Sequence, residues 1–243
     1  MLKRRPIGVA PELRPWISEI TALHADADTV VVDEPDHATT LTLRSAPGES
    51  PRLVVMGPRT RALYFTGAPG PSCLKVRVRP GRARRLLGRS LRGLVDQVVP
   101  LSELWGSADP LAGLPADPDA FARALVAAAR GGPDVRGDLV GEAAGMVSAA
   151  GVRTSADRLH ISERHLRTLF ADGVGVAPKR FARIDRVRTV LEHGTTRPWS
   201  ELALAAGYAD HSHMTAEFRS LMGVPPTVFF AGGVSPDVHC GTS

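Results

Sequence analysis

The stretch "GYADHSHMTAEFRSLMG", residues 207–223, sets His211 two positions before His213 and Glu217 four positions after it. On a helix, His213 and Glu217 share a face at i, i+4 spacing. Imidazole and carboxylate at that spacing suit a metal ion or an acid–base pair, and His211 offers a third ligand. Two features weigh against a metal. Residues 211 and 213 diverge by about 200° around a helix, and no cysteine is near. The chain's two cysteines, Cys73 and Cys240, stand far apart. They supply neither a zinc framework nor a disulfide scaffold. No metal and no cofactor are expected, and an enzyme using His211, His213 and Glu217 is the alternative to a binding role.

The elements that would position these residues are bounded first by composition. The chain has 243 residues, 43% hydrophobic and 23% charged, which fits one large or two ordinary soluble domains. No apolar run reaches the roughly 20 residues of a membrane span. "MLKRRPIGVAPELRP" has no apolar segment after its charges, so no signal peptide is expected and the cytoplasm is the natural compartment. The formal net charge is +5, but residues 134–243 carry 12 Lys and Arg against 12 Asp and Glu. The surplus therefore lies in residues 1–133. Any nucleic-acid reading must rest on where charge is placed, not on its total.

The first third alternates in short runs, "TVVVDEP", "TTLTLRS", "PRLVVMG", "ALYFTG" and "CLKVRVRP". These are predicted strands joined by tight turns. From Gly81 the period changes, and "RARRLLGRSLRGLVDQVV" and "DPDAFARALVAAAR" read as helices, the latter with Phe121, Leu125 and Ala128 at helical spacing. "GGPDVRGD", residues 131–138, has no periodicity and marks the boundary. The expected class is α+β: a β-rich domain with trailing helices over 1–130, a linker over 131–137, an all-α domain over 138–231, and a tail over 232–243.

The helical part contains a repeat. Sliding residues 162–181 forward by 48 lays Ser162 on Asp210, Leu166 on Met214, Phe170 on Phe218, Gly175 on Gly223, Pro178 on Pro226 and Phe181 on Phe229. Upstream the offset is 47, with Ala156 on Ala203, so the second copy has one extra residue in its turn. Two copies of one supersecondary unit explain this pattern. Each copy reads as a helix, a short turn and a second helix, with Ser162 or Asp210 as N-cap. Leu166, Leu169 and Phe170, or Met214, Phe218 and Leu221, are the buried face. That is helix-turn-helix geometry. Between the copies, "PKRFARIDRVRTVLEHG" opens with Pro178 and closes at Gly194, with core stripe Phe181, Ile184, Val187 and Leu191. Its length of roughly 24 Å suits a strut holding two helices in successive major grooves about 34 Å apart.

This tandem, with endings "GVAPKRF" and "GVPPTVF", resembles the DNA-binding module of AraC-type transcription regulators over about residues 138–231. The first copy departs from the family pattern at His160, where a turn glycine is usual, and at Ser155, where an aliphatic residue is usual. In each unit the outward residues at the start of the second helix would enter the groove. The resemblance implies base reading by Arg164, Arg167 and Thr168 in the first unit. In the second it implies His211, Ser212, His213 and Ala216. Arginine suits guanine, histidine can donate or accept at a base edge, and alanine can touch a thymine methyl. Phosphate contacts are expected from Ser162, Lys179, Arg180 and Arg219. The partners implied are double-stranded DNA, a small-molecule effector, RNA polymerase for an activator, and a second copy of the chain. A zinc-bound methyl-acceptor domain can precede this module, but two isolated cysteines exclude its four-thiolate site. A ligand-independent architectural DNA binder is the other alternative.

The N-terminal part resembles that of a group of actinobacterial AraC-type regulators through "PELRPWI", "LVVMGPRTRALYFTG", "CLKVRVRPG" and "VVPLSELWG". Its histidines, His24 and His37, are too far apart for a His-x-His metal motif. "KVRVRPGRARRLLGRSLRG" carries eight basic residues and no acid. It reads as a strand edge and a helix face in solvent, with an anionic effector or extra DNA contacts as the other uses. The apolar faces near 82–97 and 118–130 suit either covering the sheet or pairing two chains.

Overall fold

The computed structural model describes residues 2–25, 30–45, 52–66, 72–105, 118–128 and 133–234. Strands β1 (Leu2–Ile7), β2 (Ile17–Ala25), β4 (Thr40–Ser45), β5 (Arg52–Met56), β7 (Ser72–Val78) and β8 (Val98–Pro100) form one antiparallel sheet in the order β1-β2-β7-β4-β5-β8. Strands β3 (Val30–Asp33) and β6 (Leu63–Thr66) form a separate two-stranded ribbon.

Strict alternation gives the sheet two unlike faces. On β4 and β7, Leu41 pairs in register with Val76 and Leu43 with Leu74, and these face a core shared with Leu13, Leu91 and Leu94. Helices α1 (Ala83–Leu87), α2 (Leu101–Trp105) and α3 (Pro118–Ala128) cover that face through Leu86, Leu101, Phe121 and Leu125. The trailing apolar faces therefore cover the sheet. On the other face stand Thr40, Thr42 and Arg44 of β4 with Cys73, Lys75 and Arg77 of β7. Between this polar face and the ribbon lies a cavity of about 560 Å³.

All five runs read as strands are strands. β1 and β2 were not legible: "LKRRPI" is cationic and contains a proline, which suits the sheet's outermost strand. The helix expected over "RARRLLGRSLRGLVDQVV" is broken instead. Gly88 takes φ +68° and ends α1 after five residues, a 3-10 turn follows at Arg92–Leu94, and Val98–Val99 join the sheet as β8. The basic stretch is also corrected. β7 lies between β2 and β4 rather than at an edge, and three of the arginines after it are engaged, while Arg89 and Arg92 stay exposed. Arg82 and Arg85 flank the Trp16 ring, Arg82 pairs with Asp138, and Arg84 pairs with Asp172 at 2.9 Å.

The second half is helical: α4 (Val135–Arg158), α5 (Glu163–Gly173), α6 (Pro178–His193), α7 (Trp199–Ala205), α8 (His211–Met222) and α9 (Pro226–Phe230). Helix α4 starts behind Asp134, whose side chain accepts from the Gly137 amide, and it kinks at Gly151. Helix α6 runs from Pro178 to the residue before Gly194, as its sequence predicts. It serves two cores, with Phe181 and Ala182 beside Leu166 and Phe170, and Ile184, Val187 and Val190 beside Met214 and Phe218. Val190, not Leu191, completes the fully buried stripe; Leu191 is only partly covered.

The ribbon closes onto the helical half. Val30, Val32, Ala62 and Tyr64 join the core of α6–α8. The Ala62 amide donates to the Leu221 carbonyl at 2.8 Å, and the Tyr64 hydroxyl donates to the Met222 carbonyl at 2.7 Å. Both carbonyls lie in the last turn of α8, where a helix leaves such groups without internal partners. No helix among the described residues is long and apolar enough to cross a membrane.

Candidate nucleic-acid interface

Each repeat builds the same turn from backbone bonds. In the first, the His160 amide bonds the Asp157 carbonyl and the Ile161 amide bonds the Ala156 carbonyl. In the second, Gly207 bonds Leu204 and Tyr208 bonds Ala203, each 47 residues later. The caps lie 48 apart, so Ala209 is the extra residue. His160 holds φ +52° where Gly207 holds +79°, so a histidine sits in the left-handed conformation that glycine adopts without steric cost. Ser155 is fully buried in place of an aliphatic residue, and its hydroxyl is satisfied by the Gly151 carbonyl at 2.7 Å. The kink at Gly151, with φ +78°, divides α4 so that residues 152–158 form the first helix of the unit.

The second helices are capped alike. The Ser162 hydroxyl accepts from the His165 amide at 3.1 Å, and the Asp210 carboxylate from the His213 amide at 2.8 Å. Their inner faces are buried through Leu166, Leu169 and Phe170, and through Met214, Phe218 and Leu221. Arg164, Arg167 and Thr168 of α5 are exposed, as are His211, Ser212, His213 and Ala216 of α8. The Arg167 guanidinium pairs with Glu163 one turn earlier, and the Thr168 hydroxyl donates to the Arg164 carbonyl at 3.1 Å. His213 sets its ring edge-on to Tyr208 with centroids 5.3 Å apart, and His211 Nε2 lies 3.5 Å from the Thr215 hydroxyl.

Glu217 does not join the histidines. It is 9% exposed, and its carboxylate takes Arg183 at 2.9 Å and Arg186 at 2.8 Å, both from α6. The i, i+4 spacing with His213 is real, but the charge partner comes from another helix. Burial and the neighbouring Glu217 push the Tyr208 hydroxyl's pKa well above its usual value.

Of the phosphate candidates, Ser162, Lys179 and Arg219 are exposed. Arg180 is half-buried and donates to the Thr60 carbonyl at 3.3 Å, so it is turned toward the N-terminal half. Asp172 and Asp185 also face that half. The Asp172 carbonyl accepts from the Leu91 amide at 3.0 Å, and Asp185 meets His37 Nε2 at 3.2 Å.

Residues 155–232 match the family model described as a helix-turn-helix domain. This segment is an AraC-type helix-turn-helix domain. A domain of this kind supports a DNA-binding transcription regulator. No curated protein sequence matches the chain. Two crystal structures of ToxT from Vibrio cholerae are similar to it. One, of the P21 form, is 10% identical with a TM-score of 0.48, over 87% of this chain and 97% of that one. The other, from strain O395, is 10% identical with a TM-score of 0.46, over 88% and 98%.

The AraC-type domain is joined to the N-terminal half by residues with no signal in the sequence. His37 is 5% exposed, stacks on Phe181 with centroids 3.9 Å apart, and leaves Nδ1 without a partner among the described residues. Beside it, Asp36 takes Arg77 at 2.7 Å and Arg188 of α6 at 3.1 Å. Their partners on α6 lie some 150 positions away, so no local pattern marks them. Burial alone would raise the Asp36 carboxyl, but the Arg77 and Arg188 guanidinium groups hold it well below the usual carboxylate range. Burial lowers the His37 pKa against the opposing pull of Asp185 and Asp36. A proton added at Nδ1 would find no acceptor there.

Proposed function

We propose that the chain binds specific DNA sequences by placing α5 and α8 in two successive major-groove segments. On this reading an effector acting through the N-terminal half controls the binding. The observation that carries the reading is the repeated unit itself: two capped helices with exposed polar outer faces, linked by one continuous helix whose residues belong to both cores. A shared strut fixes the separation of the two reading heads, so the site should have a fixed internal spacing.

Arg164, Arg167 and Thr168 read bases in one segment, and His211, Ser212, His213 and Ala216 in the other. Ser162, Lys179 and Arg219 hold phosphates. Arg180 joins them only if its bond to Thr60 is released. Selection of bound duplexes from random DNA with the full chain tests this. Two recurrent blocks about 10 base pairs apart are expected. Selected pools without a recurrent sequence would leave only non-specific, architectural binding.

A further inference from the structure

The cavity between the sheet and the ribbon takes no part in reading DNA. Its volume of about 560 Å³ is that of a small-molecule site. One wall is apolar, formed by Val31, Leu63 and Phe65 of the ribbon with Leu23, Met56 and Val98 of the sheet. Leu63, Phe65 and Val98 are 48%, 47% and 41% exposed.

The rest of the lining is charged, with six cations (Arg4, Arg44, Arg59, Lys75, Arg77, Arg188) against four acids (Glu19, Asp33, Glu34, Asp36). Three of the acids are already taken. Asp36 holds Arg77 and Arg188, Glu34 holds Arg4 at 2.9 Å, and Asp33 holds Arg59 at 3.1 Å. Glu19 accepts from the Thr21 hydroxyl at 2.6 Å. Lys75 is left 3.7 Å from an Asp33 that is already paired, and Arg44 has no ion-pair partner among the described residues. These two cations are diagonal neighbours on one face, because Arg44 registers with Cys73 and Thr42 with Lys75. Long side chains at that spacing, about 7–8 Å between positions, can converge on one group.

We propose that this cavity binds an amphipathic organic anion, its acidic group held by Arg44 and Lys75 and its apolar body laid under the ribbon. Binding stands on the cavity alone; its regulatory consequence rests on the DNA-binding reading above. The ribbon's outer face packs into the core of α6–α8 and holds the last carbonyls of α8, while Arg188 of α6 reaches the cavity itself. A ligand that braces the ribbon therefore acts on a reading helix, and DNA must change the ligand's affinity by the same factor.

The test uses the full chain and two fluorescent probes with one aromatic body, the anion 8-anilinonaphthalene-1-sulfonate and the uncharged N-phenyl-1-naphthylamine. Calorimetry should show one sulfonate bound per chain. Replacing both cations, Arg44→Met with Lys75→Met, should weaken the sulfonate at least tenfold while the neutral probe stays within twofold and the thermal midpoint is unchanged. Lys75→Arg should retain binding. Equal affinity of the sulfonate for wild type and double variant, or equal loss of both probes, overturns the site, as does absence of sulfonate binding. Saturating sulfonate should also shift affinity for the selected duplex severalfold. A chain that binds DNA while its sulfonate affinity ignores Arg44 and Lys75 retires the site and keeps the regulator. A chain that binds the anion as expected but no specific DNA retires the base-reading proposal and keeps the site. Unchanged DNA affinity at saturation removes the coupling.

Discussion

Arg164 and Arg167 both stand on the outer face of α5, yet among the described residues only Arg167 of the two is held by a carboxylate, Glu163. That pairing is between exposed groups and is worth little in water, so a guanine edge can replace it. Arg167→Ala should lower affinity for the selected duplex far more than for random DNA, whereas Lys179→Ala should weaken both alike and flatten the salt dependence. Filter binding at several salt concentrations reads both, and equal losses from the two substitutions would remove the assigned roles. Glu217 belongs to a different argument. Its buried carboxylate satisfies two arginines, so Glu217→Ala should cost about 3 kcal/mol in urea unfolding, with or without a chelator present. A loss that zinc restores would return Glu217 to a metal site.

At the scale of elements, each helix-turn-helix unit depends on one left-handed residue and one cap. Glycine serves the turn at Gly207, but His160 does so in the first unit at φ +52°. His160→Gly should therefore stabilise the protein by roughly 0.5–1 kcal/mol, the strain relieved less the extra freedom glycine gains in the unfolded chain. The same change at a residue with negative φ would destabilise. Asp210→Ala removes the cap of α8 and should cost about 1 kcal/mol. It should also reduce DNA affinity, since the end of the helix that carries His211 and His213 would fray. Both effects can be measured by chemical denaturation and by titration with the selected duplex.

At the scale of the whole molecule, the two halves meet through buried groups. Tyr64→Phe should cost about 1–2 kcal/mol because the Met222 carbonyl loses its partner in a dry contact. The docking is also sensitive to pH. His37 has a lowered pKa in the fold, so between that value and the unfolded value of about 6.5 the unfolded chain binds more protons. Stability is then fully present above about pH 6.5 and falls as the medium is acidified through the folded pKa. Asp36 adds a separate loss below about pH 4, where its depressed carboxyl begins to protonate in the unfolded chain first. The thermal midpoint should drop from pH 7 to pH 5, and His37→Gln should flatten that slope while leaving the more acidic loss in place. An unchanged slope in the variant would assign the pH dependence elsewhere.

Local periodicity and capping were enough to place the repeat, the strut from Pro178 to Gly194 and the exposed residues of both second helices. These depend on interactions within a few residues, so spacing alone encodes them. Alternation likewise made β3 to β7 legible, while β1, half of whose residues are charged, was hidden. What only the tertiary structure decided are contacts between residues far apart in the chain. Glu217 is claimed by Arg183 and Arg186, and His37 and Asp36 dock on α6 about 150 positions later. The ribbon of Val30–Asp33 and Leu63–Thr66 lies with one face on a cavity and the other on α8. Side-chain period tells which residues of a strand share a face, but not what that face will meet. That depends on how the chain closes on itself, through burial and pairing summed over the whole fold.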